Sequence, residues 1–165
     1  VYLGYRRGYV LGYKALEDPE IRPIFDGALE EALKGIISHY DAPEEWLRAY
    51  VVDLTARLAN RVLADSVFRL ARDPLRKLAV SDRLVGAARM SEMTGVTPLN
   101  LAWAIAGALS FDASQDPIAV ELQERIAAEG VESVLESVCE ISRDEPLGVA
   151  ILERCRRLHE KDRWL

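Results

Sequence analysis

The stretch with the clearest chemical potential reads RLARDPLRKLAVSDR, from Arg69 to Arg83. It places Arg69, Arg72, Arg76, Lys77 and Arg83 against only Asp73 and Asp82, a local balance of +3 in a chain whose formal charge is −6. Guanidinium groups give paired, directional donors to phosphate oxygens, and a lysine adds a compact charge. Pro74 reads as the first position of a helix capped by Asp73. Arg76 and Lys77 then fall in its first turn, where backbone N–H groups also face outward, and the cluster reads as a seat for a phosphate or a polyhydroxy ligand. The plain alternative is a set of interhelix ion pairs and solvated side chains.

Other chemistry-bearing residues are sparse. The two histidines, His39 and His159, fall near predicted helix ends, where they complement the helix dipole. The carboxylate pairs Glu30-Glu31 and Glu44-Glu45 are neighbours in sequence, do not converge on one point, and read as solvated helix faces. Cys139 and Cys155, sixteen positions apart, fit no Cys-x-x-Cys spacing and read as small core hydrophobes of a reducing compartment. No set of ligands has metal-site spacing. The chain has no Gly-x-Gly-x-x-Gly, no phosphate loop and no His-Glu-x-x-His.

The elements that must position these groups are helical. Ile21, Ile24, Phe25, Ala28, Leu29, Ala32, Leu33 and Ile36 recur at three- and four-residue steps, which predicts a helix from Glu20 to Tyr40 with Asp18 as cap and Pro19 at its first position. A second helix follows Asp41-Ala42-Pro43, with Leu47, Tyr50, Val51, Leu54 and Leu58 on one face. It is expected to continue, bent near Asn60, through Val62, Leu63, Val67 and Phe68. Further starts are expected at Asp73-Pro74, Ser81-Asp82 and Asp116-Pro117. The segment Leu99 to Phe111 is apolar on every side, as suits a central helix. Val131 to Val138 and Leu147 to Leu158 complete the pattern. Strand signals are weak. The expectation is an all-α fold, a multi-helical bundle of seven to nine helices spanning 1-165 as one domain.

Composition agrees and excludes other classes. The chain has 165 residues, 50% apolar, 29% charged and 7% aromatic, with 21 basic and 27 acidic side chains, which is too apolar for disorder. The acidic balance argues against general nucleic-acid binding. The longest uncharged apolar run, from Val96 to Phe111, is shorter than the ~20 residues of a membrane span. With no export signal, the expected location is cytoplasmic. Val1 stands where an initiator Met is expected, and the sequence reads as a fragment or a processed chain.

The run Asn60…Asp65…Arg69…Arg72-Asp73-Pro74-Leu75-Arg76-Lys77-Leu78…Asp82-Arg83-Leu84 resembles the C-terminal domain of the mannitol dehydrogenase family, the polyol-specific long-chain dehydrogenases, and within it the mannitol-1-phosphate 5-dehydrogenases. Tyr2-Leu3-Gly4-Tyr5…Gly8-Tyr9…Asp18-Pro19-Glu20-Ile21 and Leu99-Asn100-Leu101…Ile105-Ala106…Ala108-Leu109 extend the resemblance to nearly the whole chain.

The resemblance implies an enzyme that interconverts mannitol 1-phosphate and fructose 6-phosphate. An N-terminal Rossmann domain, absent from this chain, binds NAD, and this helical domain binds substrate. It implies no metal. It assigns Asn60, Arg76, Lys77, Asp82 and Arg83 to the substrate: the cations to its phosphate or distal hydroxyls, Asn60 and Asp82 to the shape of the pocket. The family's catalytic Lys-x-x-x-x-Asn-x-x-His does not occur here, and Lys14 lacks the following Asn and His. No catalytic residue is therefore expected in this chain, and the fragment alone is expected to be inactive. Two other readings stand beside this one: a same-family enzyme for unphosphorylated polyols or uronates, and a non-catalytic helical module that docks an acidic partner. The tyrosines at 2, 5, 9 and 13 also allow an aromatic face that dimerises, or that packs inward.

Overall fold

In the computed structural model, which describes residues 1–160, the protein is built from helices. In chain order they are α1 (Tyr2–Arg6), α2 (Gly12–Glu17), α3 (Ile21–Tyr40), α4 (Glu44–Leu58), α5 (Val67–Ala71), α6 (Pro74–Leu78), α7 (Val85–Glu92), α8 (Leu99–Leu109), α9 (Pro117–Glu129), α10 (Val131–Cys139) and α11 (Pro146–His159). Eleven helices among the described residues exceed the expected seven to nine, and seven of them have eight or more residues. The other four are single turns of five or six residues, too short to show a period. The one extended pairing among the described residues is an isolated bridge between Leu11 and Ser66.

Helix α8 is the axis of the core. Leu101, Ala102, Trp103 and every residue from Ile105 to Leu109 are buried, as an all-apolar helix requires. Helices α3 and α11 pack along it, and α1, α6 and α7 close the remaining sides. Each fully buried Leu or Ile here contributes about 1.5–3 kcal/mol by leaving water. Helix α3 crosses α7 closely at Gly35, where a Cβ would come within 2.7 Å of the Met90 and Ser91 backbone.

The start of α8 is capped from another helix. Pro98 precedes it and offers no side-chain cap, so its first amides need an outside acceptor. Glu31 of α3 supplies it, accepting from Asn100 N at 2.9 Å, Leu101 N at 2.8 Å and Asn100 Nδ2 at 2.7 Å. The expectation that Glu30 and Glu31 are both solvated is thus corrected. Glu30 pairs with Arg48 on an exposed face, whereas Glu31 turns in and joins two helices.

Asp18 behaves as an end-cap for α3, its Oδ1 accepting from Glu20 N and Ile21 N at 2.8 and 3.1 Å, although the helix begins at Ile21. Helix α4 ends at Leu58, and the expected bent continuation is instead a break. Residues 59–66 form a loop in which Ala64 takes a positive φ of 46° and Val62 is 92% exposed. On α4 itself Leu47 is buried, but Tyr50 of the predicted stripe faces outward, stacked on Trp46. The tyrosine-rich start packs inward: Tyr2 is buried, and Tyr2 and Tyr5 meet Phe111 edge-on at 5.5 and 4.7 Å. Tyr9 donates to Asp18. Of the four tyrosines that allow an aromatic dimerising face, Tyr2, Tyr5 and Tyr9 are thus engaged within the fold.

Cys139 and Cys155 are free and buried, and burial pushes both thiols up to about 12. His39 and His159 lie in the last turns of α3 and α11, as their positions predict.

Candidate functional site

The basic stretch folds into an elbow. Ser66 caps α5 by accepting from Arg69 N at 3.1 Å, and the helix stops at Ala71. Arg72 then takes an extended conformation, and Asp73 a left-handed one at φ 61°, ψ 61°. A non-glycine residue there costs about 1–2 kcal/mol. The Asp73 amide offsets that cost by donating to Asp116 Oδ2 at 2.8 Å. Pro74 starts α6 without needing an amide partner.

Asp116 is buried, and its Oδ1 accepts from Ile118 N at 3.1 Å to cap α9. One carboxylate therefore ties the elbow to the start of α9, and a pocket of about 550 Å³ opens between these parts. Arg69, Arg72, Arg76, Lys77 and Arg83 all line it, facing the Gln115–Ile118 stretch. The cations of the sequence run are gathered at one place.

They are only partly neutralised. Arg69 pairs with Asp65. Arg76 donates from Nε to Asp73 at 2.9 Å and from Nη1 to Asp82 at 3.0 Å; the Asp73 bond is the main cause that raises its guanidinium further. Arg83 donates from Nε to the other Asp82 oxygen at 3.1 Å. Asp82 is held below the usual carboxylate range, first by the Arg83 amide and then by the two guanidinium groups. Counting Asp65, Asp73, Asp82 and Asp116, five cations meet four carboxylates, so the pocket stays positive by one in an acidic chain.

Lys77 differs from its neighbours. It is 7% exposed, donates to Leu70 O at 2.6 Å, and lies 5.5 Å from the Tyr2 ring centroid. Burial lowers it to about 8, and the charges of Arg83 and Arg76 push in the same direction. Leu70, Lys77 and Arg83 also line an apolar groove of about 460 Å³ between α3, α4, α7 and α8, whose walls include Ile24, Phe25, Leu54 and Leu101. Anion-seeking donors thus stand where a polar pocket and an apolar groove meet.

Of the residues singled out by sequence, Arg76, Lys77 and Arg83 line the pocket, and Asp82 holds two of them. Asn60 is not brought to this place. It lies exposed in the loop after α4, where its Oδ1 accepts from Val62 N at 2.9 Å. Two local expectations change. Helix α6 is a single turn with Arg76 and Lys77 at its end, so its N-terminus is no anion seat. Helix α7 begins at Val85 rather than at Ser81-Asp82, because the Asp82 carboxylate is engaged by Arg76 and Arg83 instead of capping a helix.

Arg69 and Arg72, named in the basic run but not assigned to the substrate, line the pocket as well, and Gln115 and Asp116 were missed; the signal for Asp116 lay in its place before Pro117. Among the described residues no three His, Cys, Asp or Glu side chains are grouped as a metal site would need, and no helix is long and apolar enough to cross a membrane.

Fold and site together define an all-helical domain with a cationic pocket set beside its core. Residues 1–154 match the model of the mannitol dehydrogenase C-terminal domain, and the chain belongs to that family. Among curated relatives, the mannitol-1-phosphate 5-dehydrogenase of Bacillus licheniformis is 44% identical over 146 residues, covering 88% of this chain and 38% of the relative. The enzyme of the same name from Bacillus subtilis is 40% identical over 153 residues, covering 93% and 40%. That of Bacillus pumilus is 38% identical over 156 residues, covering 94% and 41%. The chain spans about two-fifths of the length of these relatives.

Proposed function

We propose that this chain is the substrate-binding C-terminal part of an NAD-dependent mannitol-1-phosphate 5-dehydrogenase, which interconverts mannitol 1-phosphate and fructose 6-phosphate in the cytoplasm. The observation that carries the reading is the convergence of five cations on one pocket that keeps net positive charge. A phosphate dianion needs more than one donor, and guanidinium forks supply direction as well as charge. In this reading Arg76, Lys77 and Arg83 bind the phosphate and distal hydroxyls, and Asp82 holds the two arginines in place. Asn60, outside the pocket, takes no part. Gripping the far end of the substrate fixes its reacting carbon and lowers the entropic part of the barrier.

The chain's own residues do not fit NAD. The described part has no sheet, and the sequence has no Gly-rich turn to receive a pyrophosphate. The cofactor, and the lysine base of the family motif, belong in this reading to a preceding Rossmann domain. This reading puts that domain in the part of the relatives that the chain does not match, about three-fifths of their length.

The test is the turnover of fructose 6-phosphate and of fructose by the intact polypeptide with NADH. The expected result is a strong preference for the ester, which Arg76→Ala lowers at least tenfold by hurting the ester far more than fructose. Equal loss on both sugars argues for a polyol enzyme without a phosphate seat. Reduction of fructose 6-phosphate by residues 1–165 alone would overturn the domain assignment.

A further inference from the structure

The five cations of the pocket are not equivalent. Arg69, Arg76 and Arg83 each already face a carboxylate, Asp65, Asp73 and Asp82 among them, so an incoming anion must share or displace an existing partner. Lys77 is buried and its Nζ is engaged by the Leu70 carbonyl. Arg72 alone among them lines the pocket with an exposed side chain that has no hydrogen-bond or ion-pair partner among the described residues.

Its backbone is fixed nonetheless. The Arg72 amide donates to Phe68 O at 3.1 Å to end α5, and the next residue is pinned by Asp116. A guanidinium without a partner among the described residues is thus mounted on a backbone held by hydrogen bonds on both sides. Across the pocket, Gln115 is also exposed and unpartnered among the described residues, offering an amide that can donate to an ester or a hydroxyl.

Resting on the reading given above, we infer that Arg72 is the specificity-determining residue of this pocket, the group that separates a phosphate ester from the free sugar, with Gln115 as its neutral companion. The planar fork of Arg72 meets two phosphate oxygens at once without giving up an internal ion pair. Arg76 and Arg83, which share Asp82, reach the same phosphate only alongside that existing partner. A neutral ketose or polyol accepts hydrogen bonds from this guanidinium but brings no charge to pair with it, so the ester gains more from this side chain than the free sugar does.

The experiment is calorimetric titration of the intact polypeptide with hexose 6-phosphate, inorganic phosphate and fructose, for the parent and for Arg72→Ala, Arg72→Lys, Gln115→Ala and Arg76→Ala. Arg72→Ala is expected to weaken both phosphate ligands at least tenfold and to leave fructose within about twofold. Arg72→Lys, with charge but no fork, recovers part of the loss, and Gln115→Ala has the smaller effect. Because Arg72 is exposed, thermal melting of the two Arg72 variants should match the parent.

If Arg72→Ala stays within about twofold for phosphate ligands while Arg76→Ala is strongly impaired, the inference falls and the phosphate reading stands. Equal weakening of hexose 6-phosphate and fructose by Arg72→Ala also overturns it. A parent protein that binds hexose 6-phosphate no better than fructose removes both.

Discussion

Raising the pH through 8 removes the charge of Lys77, and with it one of the donors assigned to the phosphate. In the empty site this ammonium titrates at about 8 because it is buried and faces Arg83 and Arg76, with Asp73 and Asp116 opposing them only in part. A bound dianion acts in the other direction and restores the charged form. If it returned Lys77 to the ordinary value of 10.5, the charged site would bind about 300-fold more tightly than the neutral one. Linkage then makes affinity fall by roughly 20-fold between about pH 7.5 and about pH 9.5. On the acid side the ligand's own second ionisation, near ~6, sets the lower limb.

The assay is titration with hexose 6-phosphate at fixed ionic strength across that range. Lys77→Arg, which keeps its charge throughout, should flatten the alkaline limb. An affinity that stays level from about pH 7.5 to about 9.5 in the parent, or an unchanged fall in Lys77→Arg, refutes the reasoning. Stability has its own sign. The folded value lies below the unfolded one, so the fold carries a penalty for charged Lys77 at neutral pH. That penalty is relieved as pH rises from about 8 toward 10.5.

Two further outcomes concern the scaffold. Glu31→Ala removes the acceptor shared by Asn100 N and Leu101 N and should lower stability by about 1–2 kcal/mol, read as a lower melting temperature; Glu31→Gln should lose less, and an unchanged midpoint would show that the cross-helix cap contributes nothing. Cys139 and Cys155, buried and pushed up to about 12, should resist a thiol reagent at about pH 8 until the protein unfolds; rapid native labelling would contradict their burial.

What could be read from the chain, and what could not, follows from the range of the forces involved. Helices such as α3 and α9 announce themselves because their apolar residues repeat within a few turns and their starts carry Asp18 or Asp116-Pro117, and α8 because it is apolar on every side. The break after Leu58 is less visible, since Val62 and Leu63 continue an apolar pattern that the loop then leaves in water. Glu31 looks like any surface glutamate until α8 is placed against α3, 69 residues later in sequence. The basic run identifies the site, but its internal order does not follow from spacing. Which arginine lacks a partner among the described residues depends on where Asp65, Asp73 and Asp82 fall after folding, and there it is Arg72 rather than Arg69, Arg76 or Arg83. Asn60 shares the run's sequence neighbourhood but not its location, because the loop after α4 holds it away.

The central claim is a place: the phosphate of a sugar ester sits in the pocket between the α5–α6 elbow and the start of α9. A crystal structure of the intact polypeptide with hexose 6-phosphate tests it directly. The account predicts phosphate density within hydrogen-bond reach of Arg72 and at least one of Arg76, Lys77 and Arg83. Density for that phosphate elsewhere on the protein, with the pocket cations still paired only among themselves, would contradict it.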